Sequence, residues 1–276
     1  MNFQQKIWKG TGVIKKSLVP LILYIAVPGA LMLFGIFLRR FKGNTDSFLL
    51  ESGNFYQIAG TLLCLWILSR SARKRGTTLS EETALYTENL DRKLLALYLG
   101  LGFFSAVSVS AVITLVPLPD FLKQSYEESS SAVFQRTDLG LQVINLLIFA
   151  PAAEEIIFRG YMLSGLLSFF EEKKAVRICA GIFALCHVDL LWILYAYFLG
   201  VVLSETAIKK DNITYGIVLH GGFNFFSVVN LIIINTGLGD RLFYTSPAAV
   251  LCYGIIGMLC VLLIKRELEN REEWYL

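Results

Sequence analysis

The sequence is poor in charged residues. Only 17% of its 276 residues are Asp, Glu, Lys or Arg, whereas 55% are hydrophobic; a soluble domain carries about 25% charge. The mean hydropathy of +0.59 points the same way. This scarcity excludes an ordinary water-soluble enzyme, and a net charge of only +3 gives no basis for nucleic-acid binding.

Several common catalytic and metal-binding motifs are also missing. The five cysteines form no C-x-x-C pair, and the chain contains neither a G-x-S-x-G nor an H-E-x-x-H sequence. We therefore interpret the cysteines as small hydrophobic residues and expect no serine nucleophile. Histidine is rare too, with only His187 and His220, both inside apolar segments.

Long charge-free segments replace the short alternating pattern of strands, and about 20 apolar residues in a helix match the thickness of a bilayer. The pattern predicts an all-α integral membrane protein of about eight transmembrane helices forming a single domain over residues 1–276. The predicted spans are roughly 18–38, 52–69, 94–118, 139–163, 175–188, 190–208, 212–236 and 246–264. The fifth and sixth are separated only by Asp189, so their boundary is the least defined.

The basic residues predict the orientation. With the N-terminus inside, 18 of the 25 Lys and Arg residues fall in inner segments and 6 in outer ones. Cytoplasmic loops carry this excess of positive charge. We therefore expect both termini to be cytoplasmic. Because the chain is short and has no eukaryotic targeting extension, we expect a bacterial cell membrane rather than the endoplasmic reticulum.

The fourth span carries charges in its centre, where they are costly and usually functional. Glu155 and Arg159 are four residues apart, which places them on one helix face within reach of an ion pair. Glu154 points about 100° away and is free to face a cavity. The alternative interpretation is a purely structural charge cluster.

Histidines occur on two further spans. Phe183 and His187 are four residues apart on the fifth, where a lone histidine could equally be a core residue. His220 and Asn224 share one face of the seventh, and Gly221 and Gly222 between them would let another backbone or a substrate chain approach closely.

The predicted depths of these groups agree. At ~1.5 Å per residue, Glu154 and His220 lie roughly 13 and 12 Å from the inner ends of their spans, and His187 roughly 18 Å. The spans therefore predict an intramembrane polar cavity in the cytoplasmic half, with a catalytic core at about 139–236.

These residue types suit hydrolysis of an amide bond without a side-chain nucleophile. Glu154 would take a proton from water that His187 helps to hold. His220 and Asn224 would stabilise the oxyanion. No cofactor is expected; the alternative is zinc held by Glu154, His187 and His220.

Three motifs together resemble a known family. EEIIFR from Glu154 fits E-E-x-x-x-R, FALCH from Phe183 fits F-x-x-x-H, and HGGFN from His220 fits H-x-x-x-N. In this order they resemble the CPBP family of intramembrane proteases, also called the Abi or CAAX-protease family, which includes the type II CAAX prenyl endopeptidases. The resemblance implies a metal-independent glutamate protease with Glu154 and His187 activating water and with His220 and Asn224 at the oxyanion. It also implies that Glu155, Arg159 and Phe183 support the site.

The resemblance leaves the substrate open. We expect a peptide or protein substrate, either CAAX-type or related to peptide and bacteriocin maturation, that enters from the bilayer or the cytoplasmic face. A second hypothesis is a non-catalytic adaptor or bacteriocin-immunity protein that binds a membrane-protein partner. A third, a proton-coupled transporter, predicts two related halves, and the sequence has no such symmetry.

Overall fold

The computed structural model of the chain describes residues 12–40, 48–134, 138–187, 189–235 and 246–273. These ranges contain helices and no strand, which confirms the predicted all-α class. In chain order the helices are α1 (Gly12–Arg40), α2 (Phe48–Lys74), α3 (Leu79–Thr83), α4 (Arg92–Leu115), α5 (Asp120–Phe134), α6 (Leu139–Leu166), α7 (Glu172–Leu185), α8 (Leu190–Lys210), α9 (Thr214–Asn235) and α10 (Pro247–Glu273).

Six helices in the described ranges are long and apolar enough to cross a bilayer, namely α1, α4, α6, α8, α9 and α10. A multi-pass membrane protein is confirmed, but the predicted count of eight spans is too high by this measure. Asn54 and Gln57 make α2 more polar despite its 27 residues. The predicted fifth span is α7, whose 14 residues extend only about 21 Å, short of the ~30 Å core. The termini, predicted to be cytoplasmic, lie outside the described residues.

The outer helices present large apolar side chains to their surroundings. Leu33 on α1 is 68% exposed and Leu263 on α10 is 65% exposed. Contiguous apolar surface of this kind is avoided in water and marks contact with a membrane or a partner. The exposed apolar faces of α1 and α10 are therefore suited to contact lipid, whereas polar side chains such as Glu155 and Arg159 are buried inside the bundle.

Helices α4 and α9 pack closely because each has a glycine at the crossing. A side chain at Gly222 would collide with the backbone carbonyl of Leu99 on α4, and one at Gly102 would collide with that of Leu219 on α9. The sequence predicts close approach at Gly222, and the structure shows that the backbone of a neighbouring helix approaches there. The crossing holds the part of α9 that carries His220.

We expect Gly222→Ala to destabilise the protein by about 1–3 kcal/mol, the cost of overpacking a tight interface. Thermal unfolding in detergent micelles measures the effect. The matched control is Gly140→Ala on α6, because a methyl group there meets no atom within 4 Å. Equal unfolding temperatures for the two variants would contradict the role of this crossing.

Helix α6 is not a regular α-helix. It contains two π-helical segments, Asn145–Phe149 and Glu155–Leu163, on either side of the short α-helical stretch Ala150–Glu154. Such widened turns are rare and are frequent at functional sites because they shift side chains relative to the regular helix. The two glutamates of the predicted site lie where the second widened segment begins.

Hydrogen bonds to Glu82 of α3 connect this helix to the loop after α2 and to α6. Arg75 makes a two-point ion pair with Glu82, at 2.6 and 2.8 Å, and the Tyr161 hydroxyl of α6 donates to the same carboxylate at 2.9 Å. Burial raises the pKa of Glu82, but the hydrogen bonds from Arg75, Thr77 and Tyr161 outweigh it and hold that pKa below its usual range. The hydrogen bond from Tyr161 to Glu82 anchors the end of α6 that follows Glu154 and Glu155.

Candidate active site

Glu155 and Arg159 form a fully buried ion pair, as their spacing predicts. The distance from Arg159 Nη1 to Glu155 Oε1 is 2.7 Å, and both side chains are 0% exposed. Arg159 Nη2 also donates to the carbonyl of Gly200 on α8 at 3.1 Å. Among the described residues, no hydrogen-bond partner is found for Glu155 Oε2 or Arg159 Nε. A buried pair of this kind is costly to desolvate, so each charge depends on the other.

His220 lies between the two glutamates. Its Nδ1 is 3.1 Å from Glu155 Oε1, and its Nε2 is 3.7 Å from Glu154 Oε2. Since Glu155 is paired with Arg159, it accepts, and Nδ1 of His220 donates. The contact of His220 with both glutamates extends the prediction, which paired this histidine only with Asn224.

Phe183 holds several of the site groups at once. Its ring lies 4.5 Å from the guanidinium carbon of Arg159 and packs edge-on against the rings of His187 and His220, with centroids 4.9 and 5.8 Å away. A guanidinium over an aromatic face is a favourable cation–π contact. This geometry gives Phe183 of the F-x-x-x-H motif a physical role in orienting both imidazoles.

His187 lies just beyond the end of α7, not inside a helix as the predicted span 175–188 implies. The helix ends at Leu185, and Nδ1 of His187 is 3.0 Å from the Phe183 carbonyl. A carbonyl oxygen only accepts, so Nδ1 carries the proton and Nε2 of the neutral ring is left as an acceptor. Such a nitrogen is the group that a water-activating histidine needs.

Asp189 defines the boundary between the fifth and sixth predicted spans, which the sequence left undefined. Its Oδ1 accepts from the backbone N–H groups of Leu191 and Trp192, which makes it the N-cap of α8. Its other oxygen accepts from the Ser125 hydroxyl of α5 at 2.7 Å. The cap starts α8 immediately after His187 and leaves the histidine in the turn between two helices.

Asn224 lies one turn beyond His220 on α9 and contacts α6. Its Nδ2 donates to the carbonyl of Leu146 at 2.9 Å, within the first π-helical segment. Widened turns disturb the regular backbone ladder, and a side-chain amide can satisfy a carbonyl there. The bond joins the two helices that carry the predicted oxyanion and base residues.

Two cavities meet at the site. One, of about 410 Å³, is lined by Glu154, His187, His220 and Asn224, together with residues of α4, α5 and α8. The other, of about 620 Å³, lies on the side of α1 and α2 and also touches Glu154 and His187. All four residues predicted to be catalytic therefore reach one cavity from three different segments of the chain.

Sequence reasoning missed two residues of this site. The Tyr24 hydroxyl of α1 donates to Glu154 Oε1 at 3.2 Å, and Trp192 of α8 lines both cavities. A polar-tipped tyrosine in an otherwise apolar first span is a weak signal. Nothing in the local pattern around either residue indicates that it lies beside Glu154.

The geometry gives no ready metal centre. Across the parts of the chain that the structure describes, no group of three or more His, Cys, Asp or Glu side chains is arranged to hold a metal ion. Glu154, His187 and His220, the set that zinc would need, do not meet this arrangement even though they line one cavity.

Fold and site together define a multi-pass helical membrane protein whose bundle encloses a carboxylate, two imidazoles and an amide at one cavity. Residues 136–226 match the family model described as type II CAAX prenyl endopeptidase Rce1-like. The match includes all three motifs and confirms the resemblance to the CPBP family that they predict.

A curated relative is the UPF0177 protein YbdI of Lactococcus lactis subsp. lactis (strain IL1403). It is 30% identical over 93 residues, which are 33% of this chain and 49% of the relative. The chain thus spans about half the length of the relative it matches. No solved structure matches.

Proposed function

We propose that the protein is an intramembrane endopeptidase that hydrolyses a peptide bond with activated water. The observation that carries the proposal is the single cavity lined by Glu154, His187, His220 and Asn224. The Rce1-like match over residues 136–226 supports the same chemistry, because the matched family is one of endopeptidases.

Glu154 is the general base in this proposal. Its side chain is 19% exposed, whereas that of Glu155 is fully buried and paired, so only Glu154 is accessible to water from the cavity. A water molecule between Glu154 and Nε2 of His187 gives its proton to the carboxylate while its oxygen attacks the scissile carbonyl carbon. The proton then passes from Glu154 to the leaving amine when the C–N bond breaks.

His220 and Asn224 stabilise the oxyanion that forms on the carbonyl oxygen. An amide nitrogen carries two N–H donors, and the bond to Leu146 uses one of them. His220 presents Nε2 to the cavity side because Nδ1 is directed at Glu155. Its Nε2 donates to the oxyanion in the form of the ring that carries a proton on both nitrogens.

The proposed mechanism is metal-independent and needs no cofactor. We expect peptide cleavage to continue at its original rate after treatment with 1,10-phenanthroline and dialysis into chelated buffer. Metal analysis of the same sample by mass spectrometry verifies that zinc is absent. A loss of activity that added Zn²⁺ restores would replace this mechanism with the zinc alternative of Glu154, His187 and His220.

The proposed substrate is a peptide or protein that reaches the cavity from the bilayer or from the cytoplasmic face. The excess of Lys and Arg in the predicted inner segments supports an orientation with both termini in the cytoplasm. The described residues contain no feature that favours the adaptor alternative.

A proteome-derived peptide library tests the proposal. The purified protein is incubated with the library in liposomes, and mass spectrometry identifies new peptide termini. We expect cleavage by the wild type and none by His187→Ala, since the alanine removes a water-activating nitrogen. If His187→Ala cleaves at the wild-type rate the mechanism is wrong, and a cellular phenotype that survives Glu154→Ala would favour an adaptor.

A further inference from the structure

Helix α1 reaches the site from outside the segment that matches the family model. That segment begins at residue 136, whereas Tyr24 lies in the first span. Its hydroxyl donates to Glu154 Oε1 at 3.2 Å, and the same two side chains line the cavity of about 620 Å³. The contact joins the proposed base to a part of the chain that none of the three motifs covers.

The packing of α1 keeps Tyr24 in this place. A side chain at Gly60 of α2 would meet Pro28 of α1 at 2.5–2.8 Å, so the two helices touch closely one turn beyond Tyr24. Leu21 and Leu23 pack with Tyr24 against the buried cluster that includes Phe158 and Phe183. The tyrosine is therefore directed inward although most of α1 faces outward.

The hydrogen bond from Tyr24 restricts the rotation of the Glu154 carboxylate. The last torsion of a glutamate side chain is broad, so a carboxylate at the edge of a cavity turns easily. Tyr24 holds Oε1, and Oε2 is then left facing His220 at 3.7 Å. One oxygen is anchored while the other is presented towards the imidazole and the cavity.

We propose that Tyr24 is a positioning residue that fixes the Glu154 carboxylate in the orientation required to accept a proton from water. This inference rests on the proposed endopeptidase function. It makes the α1–α2 pair a part of the active site and not only a support for the bundle.

Tyr24→Phe tests the proposal because it removes only the hydroxyl. We expect kcat for a library peptide to fall about 10- to 100-fold, the range that a hydrogen bond to a charged group represents. KM should stay unchanged, since the hydroxyl contacts the base and the ring that lines the cavity remains. The matched control is Tyr197→Phe on α8, whose side chain lines neither cavity.

A double variant separates positioning from an independent role. If Tyr24 acts through Glu154, adding Tyr24→Phe to Glu154→Ala leaves the residual rate unchanged. An additive loss in that background, or a Tyr24→Phe enzyme with wild-type kcat, would overturn the proposal while leaving the endopeptidase function intact. A Glu154→Ala variant with wild-type cleavage would instead overturn the endopeptidase function itself.

A double-mutant cycle of unfolding temperatures tests the contact between Tyr24 and Glu154 without any substrate. The unfolding temperatures of wild type, Tyr24→Phe, Glu154→Ala and the double variant are compared in detergent micelles. We expect non-additive shifts, with the hydroxyl contributing only when the carboxylate is present. Additive shifts would show that the two groups are not coupled and would overturn the proposal.

Discussion

Glu154→Gln is expected to lower kcat for peptide cleavage about 10²–10⁴-fold, the contribution of a positioned general base. The substitution keeps the shape of the side chain and an oxygen that accepts from Tyr24, but it removes the carboxylate that takes the proton. Cleavage of library peptides by the purified protein in liposomes measures the effect.

The control for this variant is Glu171→Gln, which neutralises an exposed carboxylate in the loop before α7. We expect it to cleave at the wild-type rate. The unfolding temperature of Glu154→Gln should remain close to that of the wild type, because its side chain is partly exposed and carries no buried ion pair. Wild-type cleavage by Glu154→Gln would show that the glutamate is not the base.

Arg159→Met is expected to give the largest loss of stability, about 3–5 kcal/mol in the free energy of unfolding. The substitution keeps an apolar stem of similar length but leaves the fully buried Glu155 carboxylate without its cation. It also removes the guanidinium that packs on Phe183 and the donor to Gly200. Chemical denaturation in mixed micelles measures the change.

Two further variants show whether the loss of stability in Arg159→Met comes from the unpaired carboxylate of Glu155. Arg177→Met removes an exposed arginine of α7 and should change stability by less than about 1 kcal/mol. The double variant Glu155→Gln with Arg159→Met should recover part of the loss, since no buried charge is then left unpaired. A double variant no more stable than Arg159→Met alone would contradict this account.

The helix spacing in the sequence was enough to predict the contact between Glu155 and Arg159. Residues four apart share one helix face, and the π-helical turn over Glu155–Leu163 did not separate them. The same reasoning left Glu154 to face a cavity, where the structure places it. Local geometry is predictable in these cases because both partners belong to one continuous helix.

The position of His187 could not be obtained in this way. Hydropathy joins residues 175–188 into one apolar segment, but α7 ends at Leu185 and Asp189 caps the next helix. The Asp189 carboxylate accepts hydrogen bonds from backbone N–H groups at the start of α8, and hydropathy carries no information on such a cap. The predicted fifth span, 175–188, is as short as the 14-residue α7 and does not cross a bilayer.

Contacts between segments far apart in the chain were also beyond the sequence. His220 contacts Glu154 across 66 positions and Glu155 across 65, and Tyr24 contacts Glu154 across 130. Each contact depends on how whole helices cross, which close approaches such as that of Gly222 to the backbone of α4 determine. Spacing along one helix does not encode the angle or rotation of its neighbour.

By itself, the sequence determined that this chain is an all-α membrane protein and which few polar residues break its apolar segments. Those properties follow from composition and periodicity, which act locally along each helix. Only the tertiary structure decided that Glu154, His187, His220 and Asn224 share a cavity, that His220 lies between two glutamates, and that α1 contributes Tyr24. These facts depend on the packing of separate helices, whose close approaches at glycines and buried hydrogen bonds fix which side chains meet.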